Sequence, residues 1–198
     1  MVLVYNKWDV SEIKIEDAGL KGYINVEPRV VPRTGGKNAK NRFYKNNVFI
    51  IERLMNKIMV AGHKAKKHKI QKHGRQTGKG ETVYNIMKEV LEVIEKRTQK
   101  NPISVVVKAI ENAAPRESIV TIEYGGARYP KAVELAPQRR VDYALRLMTQ
   151  TAAQKAFKSK KSYVNALAEE ILFAYNLSNN SGAIAKKLEL ERQADSSR

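Results

Sequence analysis

From about Asn47 onward, apolar residues in this chain recur at three-and-four spacing, and in one place, residues 118–136, the period drops to two. That pattern restricts the fold to a mainly helical body with a single short β element. The first helical stripe is Val48, Ile51, Leu54, Met55, Ile58 and Met59, with Gly62 as its stop. A second helix is predicted from about Thr82 to Thr98, with Val83, Ile86, Val90, Leu91 and Ile94 inward and Glu92 and Glu95 outward. Asn101 is placed as an N-cap and Pro102 as the first residue of a third helix, whose stripe is Ile103, Val106, Val107 and Ile110 and which Pro115 ends. The strings SIVTIEY (118–124) and YPKAVELA (129–136) flank Gly125 and Gly126, the signature of a β-hairpin with a permissive tip. Pro137 opens a long fourth helix with Val141, Leu145, Met148 and Ala152 inward. A fifth begins near Ser162 with Val164, Leu167, Ile171, Leu172 and Tyr175 inward. A sixth runs from about Ser181 with Ile184 and Leu188 inward. The expected fold is thus mainly α: a bundle of about six helices, one projecting β-hairpin at about 117–136 inserted after the third helix, and a basic, extended N-terminal arm.

The arm, residues 1–46, shows no sustained period and is broken by Pro28, Pro32, Gly35 and Gly36. The division expected is an arm at 1–46 and a helical domain at 47–198, which carries the hairpin. Charge is distributed as unevenly as structure. Residues 28–80 carry fifteen Lys and Arg against one acid, Glu52, and so hold fourteen of the seventeen net positive charges. A surplus that local marks a surface for a polyanion rather than a uniformly solvated exterior. In the arm, Arg29, Arg33, Lys37, Lys40, Arg42 and Lys45 alternate with Asn38, Asn41, Phe43 and Tyr44, a mixture able to neutralise phosphates and stack on bases. The competing reading of that stretch is a disordered, solubilising tail.

The segment after the first helix, HKAKKHKIQKHGRQTGKG from His63, has no acid and reads as the main phosphate clamp, through Lys64, Lys66, Lys67, Lys69, Lys72, Arg75 and Lys79. Its histidines, His63, His68 and His73, stand five apart, but no carboxylate or thiolate accompanies them to offset six neighbouring cations, so a metal site is rejected. Arg139 and Arg140 fall in the first turn of the fourth helix, where cations oppose the macrodipole. Either an external phosphate joins them there, or both are simply exposed at small cost. Lys155, Lys158, Lys160 and Lys161 form a second, smaller basic cluster. The hairpin carries Arg128 at its tip and Lys131 on its return strand.

With 198 residues and 42% hydrophobic content, the chain can bury one core plus a polar arm. It has no cysteine, so disulfides, thiolate metal sites and thiol nucleophiles are excluded. No aliphatic and aromatic run, that of residues 48–51 included, is long enough to span a bilayer, and no secretory signal opens the sequence, so a soluble cytosolic protein is expected.

At this point several strings resemble those of a known family. NAAPRE from Asn112, YGGARYP from Tyr124 and APQRRVDYAL from Ala136 resemble the hairpin and following helix of the universal small-subunit ribosomal protein S-seven family. AIAKKLELERQA from Ala183 resembles the C-terminal helix of its archaeal and eukaryotic members, as does LMNKIMVAGHKAKKHKI from Leu54 the corresponding stretch. The family pattern wants Gly-Lys followed by another basic residue where this chain has Gly62-His63-Lys64, a departure at the first lysine only. The resemblance implies a non-catalytic structural protein of the cytoplasmic small ribosomal subunit that takes no cofactor, metal or small-molecule substrate and meets no membrane. It implies binding to the 3′ major domain of the small-subunit ribosomal RNA, nucleation of head assembly, contact with neighbouring head proteins, and a hairpin whose Gly125, Gly126, Arg128 and Lys131 face exit-site tRNA and mRNA. The ribosomal RNA contacts fall on the arm, the segment from His63, Arg139, Arg140, Lys158, Lys160 and Lys161.

Two other functions compete with this one. An architectural DNA-binding protein with a β-arm would carry an apolar wedge at the tip, whereas this tip reads Gly125-Gly126-Ala127-Arg128. An RNA-cleaving enzyme would need a carboxylate to orient its histidines, and none lies between Arg53 and Gly80.

Overall fold

The computed structural model describes residues 2–29, 32–37, 39–61 and 78–198. Among them run six α-helices, α1 (Ile50–Met59), α2 (Gly80–Thr98), α3 (Pro102–Ala113), α4 (Pro137–Ala156), α5 (Tyr163–Tyr175) and α6 (Gly182–Asp195). Two antiparallel strands, β1 (Glu117–Tyr124) and β2 (Ala127–Glu134), stand between α3 and α4. Three of the helix starts follow their side chains. Asn101 accepts the Ile103 amide at 3.0 Å ahead of Pro102, Ser162 accepts from Asn165 and Ser181 from Ile184, so each cap satisfies one donor that the first turn leaves over. α1 starts two residues later than its apolar stripe, which opens at Val48, because residues Tyr44–Asn47 wind a separate 3₁₀ turn and Val48 is extended.

α5 packs against α2, α3 and α4, while α1 lies across α2 and α4, and α6 closes the far end against α4 and the root of β1. The predicted stripes supply the interior: Leu54, Ile58, Val90, Leu91, Ile94, Ile110, Leu145, Met148, Leu167 and Ile171 are all fully buried. Leu188 is not among them. The face that α6 turns inward holds Ile184, the half-buried Lys187 and Ala194, which leaves Leu188 44% exposed on the flank.

The described residues before the 3₁₀ turn form no helix and only isolated bridges, yet they contribute to the same core. Val4, Trp8, Val10, Leu20 and Ile24 are buried in it. Tyr5 lies against Tyr84 of α2 with ring centroids 4.5 Å apart, and burial, with Tyr84 beside it, pushes its phenol well above the ordinary value. The strap is fixed farther along by charge. The Glu111 carboxylate on α3 accepts the backbone amides of Glu16 and Asp17 at 2.7 and 3.2 Å. Asp17 in turn accepts from Arg140 of α4 at 2.7 Å.

The α5–α6 corner is built on Glu170, whose side chain is wholly buried. Its Oε1 accepts from Ser181 Oγ at 2.8 Å and the Ala183 amide at 3.1 Å, and its Oε2 from Lys155 Nζ at 2.7 Å.

The hairpin turns through Gly125 and Gly126, whose φ angles of 58° and 80° are those a two-residue I′ turn demands and that β-carbons oppose. Register pairs Ile122 with Tyr129 and Thr121 with Pro130, so β2 begins two residues earlier than the string 129–136 suggests. Val120, Ile122, Tyr124, Tyr129 and Lys131 share one face by that register, and all are exposed. Only the root is covered, by α6 and by the Leu135 amide donating to Arg116 O at 2.9 Å. The ribbon therefore projects.

Candidate nucleic-acid interface

The cations predicted to bind a polyanion are placed in three regions. In the arm, Arg29, Arg33, Lys37, Lys40 and Arg42 are exposed and, among the described residues, none has a carboxylate partner. Arg29 donates to the carbonyl of Asn47 at 2.9 Å, which ties it back to the entry of α1. The Arg33 guanidinium lies against the first residue of α2, its Cζ 3.4 Å from where a β-carbon on Gly80 would stand, and Lys79 is exposed next to it. Arg33 also lines a cleft of about 320 Å³ with Met55 and Met59 of α1 and Tyr84 of α2. The arm thus brings its charge to the junction of α1 and α2. Lys64, Lys66, Lys67, Lys69, Lys72 and Arg75, with the three histidines, lie outside the described residues.

Lys45 belongs to the same region but is differently employed. Its ammonium donates to Asp142 of α4 at 2.9 Å, and Arg53, 4% exposed, donates to the other oxygen of that carboxylate at 3.2 Å and to the carbonyl of Tyr23 at 2.7 Å. Burial by itself would raise the Asp142 pKa, but the Lys45 hydrogen bond and the Arg53 charge outweigh it and hold the carboxyl below its ordinary value. Eleven residues before Lys45, the amide and hydroxyl of Thr34 both donate to Glu52 Oε1 at 2.7 Å, and Glu52 is only 2% exposed. A cleft of about 180 Å³ opens between these groups, walled by Thr34, Tyr44, Lys45, Arg53, Asn56 and Lys57. Neither Asn56 nor Lys57 stands out in the sequence, since each reads there as the polar face of α1.

The second region, around α4, corrects the expectation of two equivalent arginines. Arg139 is exposed, with no carboxylate partner among the described residues. Arg140 is 8% exposed and spends its guanidinium inside the protein, on Asp17 and on the carbonyl of Pro115 at 3.1 Å. Its charge does not face an outside anion. The apparent conflict with the helix dipole is settled by an internal carboxylate, Asp17, whose pKa burial raises but the Arg140 hydrogen bond and charge, together with the Gly19 amide and the Arg116 charge, hold below its ordinary value. At the turn after α4, Lys155 is paired with Glu170 and Lys161 with Glu169, while Lys158 and Lys160 are exposed without a carboxylate partner among the described residues. The smaller cluster is therefore half neutralised.

The third region is the hairpin. Gly125, Gly126, Arg128 and Lys131 are exposed at and near its tip, and Arg128 lies 3.5 Å from Glu123 across the ladder with both side chains in solvent, a pairing worth little.

No group of three or more His, Asp or Glu able to hold a metal occurs among the described residues. No described helix is long and apolar enough to cross a membrane.

Comparison with known proteins converges on one family. The model of ribosomal proteins S7p/S5e matches residues 20–198. The chain is 51% identical over 195 residues to the small ribosomal subunit protein uS7 of Nanoarchaeum equitans, spanning 98% of each chain. It is 48% identical to the uS7 of Archaeoglobus fulgidus, covering all of this chain and 95% of the relative, and 46% identical to that of Methanothrix thermoacetophila, covering 98% and 99%. Identity at that level over nearly the whole length, on a six-helix body with its hairpin after the third helix, places the chain in the ribosomal protein S7p/S5e family, a family of structural rather than catalytic proteins.

Proposed function

We propose that this chain is a structural component of the cytoplasmic small ribosomal subunit that binds the 3′ major domain of the small-subunit RNA and nucleates folding of the subunit head. The reading is supported above all by the segregation of charge. Among the described residues Arg29, Arg33, Lys37, Lys40 and Arg42 stand exposed without acidic partners, whereas Asp142, Glu169 and Glu170 of the helical body are already paired with Arg53, Lys161 and Lys155. Folded RNA displays phosphates and 2′-hydroxyls rather than base edges, so distributed cations on a rigid helical frame suit it. In this reading residues 1–46 act as an arm and residues 47–198 as the binding domain. Lys79, Arg139, Lys158 and Lys160 extend the surface, and Lys64, Lys66, Lys67, Lys69, Lys72 and Arg75 add to it. Replacing Lys37 and Arg42 together by Ala is expected to leave the melting temperature nearly unchanged and to lessen the log–log salt slope of RNA binding by about one to two units. Titration against a transcript of the 3′ major domain and against duplex DNA at matched salt tests the reading. Tighter binding to duplex DNA would overturn it.

The hairpin has a separate role in the same proposal. Its exposed outer half, including Tyr124, Arg128, Tyr129 and Lys131, reaches toward exit-site tRNA and mRNA and neighbouring head proteins. Deleting residues 124–129 and rejoining the strands by a short turn is expected to preserve folding and incorporation into subunits but to reduce exit-site tRNA occupancy or reading-frame maintenance. Normal values for both would remove the role.

A further inference from the structure

The single acid in the basic stretch of residues 28–80 is not on the surface balancing charge. Glu52 is buried in the first turn of α1 and takes both the amide and the hydroxyl of Thr34. Asp142, on α4, takes Lys45 while also holding Arg53, whose other nitrogen grips Tyr23 O. The two contacts pin Thr34 and Lys45, and between them stand the exposed cations Lys37, Lys40 and Arg42. Nothing else of comparable strength ties these residues to the helical body among the described contacts.

We propose that Glu52 and Asp142 are positioning residues for RNA binding: they clasp both ends of the Thr34–Lys45 loop to the helices, so that Lys37, Lys40 and Arg42 are held in place before RNA arrives. This rests on the RNA-binding reading above. Electrostatics alone argues the opposite, because two carboxylates subtract from a positive field that draws phosphates. Their placement is explained by preorganisation, which removes the ordering penalty a loose loop pays on binding. The two effects have opposite signs, so they can be separated. Neutralising the carboxylates should strengthen binding to any RNA if field dominates, and should weaken binding to the cognate fold if the clasp dominates.

The test compares the full chain with the double variant Glu52→Ala, Asp142→Asn, and with Thr34→Ala, which removes one of the two donors to Glu52 from the exposed side and leaves the helices untouched should the double variant fail to fold. The probes are a transcript of the 3′ major domain and a homopolymeric single-stranded RNA. Expected in the variants are faster amide exchange at Thr34 and a Kd for the transcript raised about tenfold by the double variant, as follows if the loop is docked about one-tenth of the time. The rise for Thr34→Ala should be about threefold by the same arithmetic if its loop is docked about a third of the time. The salt slope should be unchanged, since the same cations engage once bound, and homopolymer binding should be equal or tighter. Transcript affinity that is unchanged or improved while Thr34 exchange quickens would overturn the clasp alone, as would unchanged exchange. Failure of the unaltered chain to bind the transcript would overturn the RNA-binding reading and the clasp with it.

Discussion

Leu145→Ala is expected to destabilise the fold by about 2–5 kcal/mol, the range for removing a fully buried leucine from a packed interior that relaxes only in part. Leu145 has no exposed surface and lies midway along α4, the helix that α1, α5 and α6 all pack against, so no solvent-facing side can collapse to fill the space. With total stability on the order of 5–15 kcal/mol, the loss is a large fraction of the whole. At about 2–4 °C per kcal/mol for a chain of this size, it should be plain in a thermal melt. Arg128→Ala is the matched control. That side chain is 74% exposed on the hairpin, and its removal should stay within about 0.5 kcal/mol. A melt in which Arg128→Ala lost more than Leu145→Ala would reverse the inside and outside of the fold.

Glu170→Ala should be nearly as damaging, by about 2–4 kcal/mol, for a reason unrelated to volume alone. It strips the acceptor from the Ser181 hydroxyl and the Ala183 amide, both buried at the start of α6, and each orphaned donor costs about 1–3 kcal/mol. Lys155 softens the loss, because its side chain is 34% exposed and can return to water. Glu170→Gln keeps an oxygen for the two donors and loses only the ion pair, so it should cost clearly less than the alanine. Equal losses in denaturant melts of the two variants would show that charge, and not the satisfied α6 start, holds this corner.

Period and punctuation were enough to place the helices and the hairpin. Asn101-Pro102, Ser162 and Ser181 announce their helices because a side-chain oxygen at the cap is a local requirement, and Gly125-Gly126 announces the turn because both positions need positive φ. What stayed hidden are contacts made across long sequence separations by residues with no period. Trp8 and Leu20 are buried singly on an irregular strap, so no spacing marks them. Arg140 reads as a surface cation until Asp17, 123 positions away, is folded onto it. Leu188 reads as core because helical spacing fixes a stripe only to within one residue of its edge, and α6 meets its neighbours over a narrow face. On the candidate interface the sign and location of the charge were legible, but not which cations are committed internally. Lys45 and Arg140 share the composition of their neighbours and differ only in having a carboxylate within reach.

The central claim is that the exposed cations of the arm and helical body engage one defined region of ribosomal RNA. Crosslinking the full chain to total ribosomal RNA, with every site mapped on both protein and RNA, measures this directly. Crosslinks confined to the 3′ major domain of the small-subunit RNA are expected, arising from the region of Arg33, Lys37, Lys40, Arg42 and Lys79. Crosslinks scattered over both subunits' RNA would contradict it and leave only a polycation without a site.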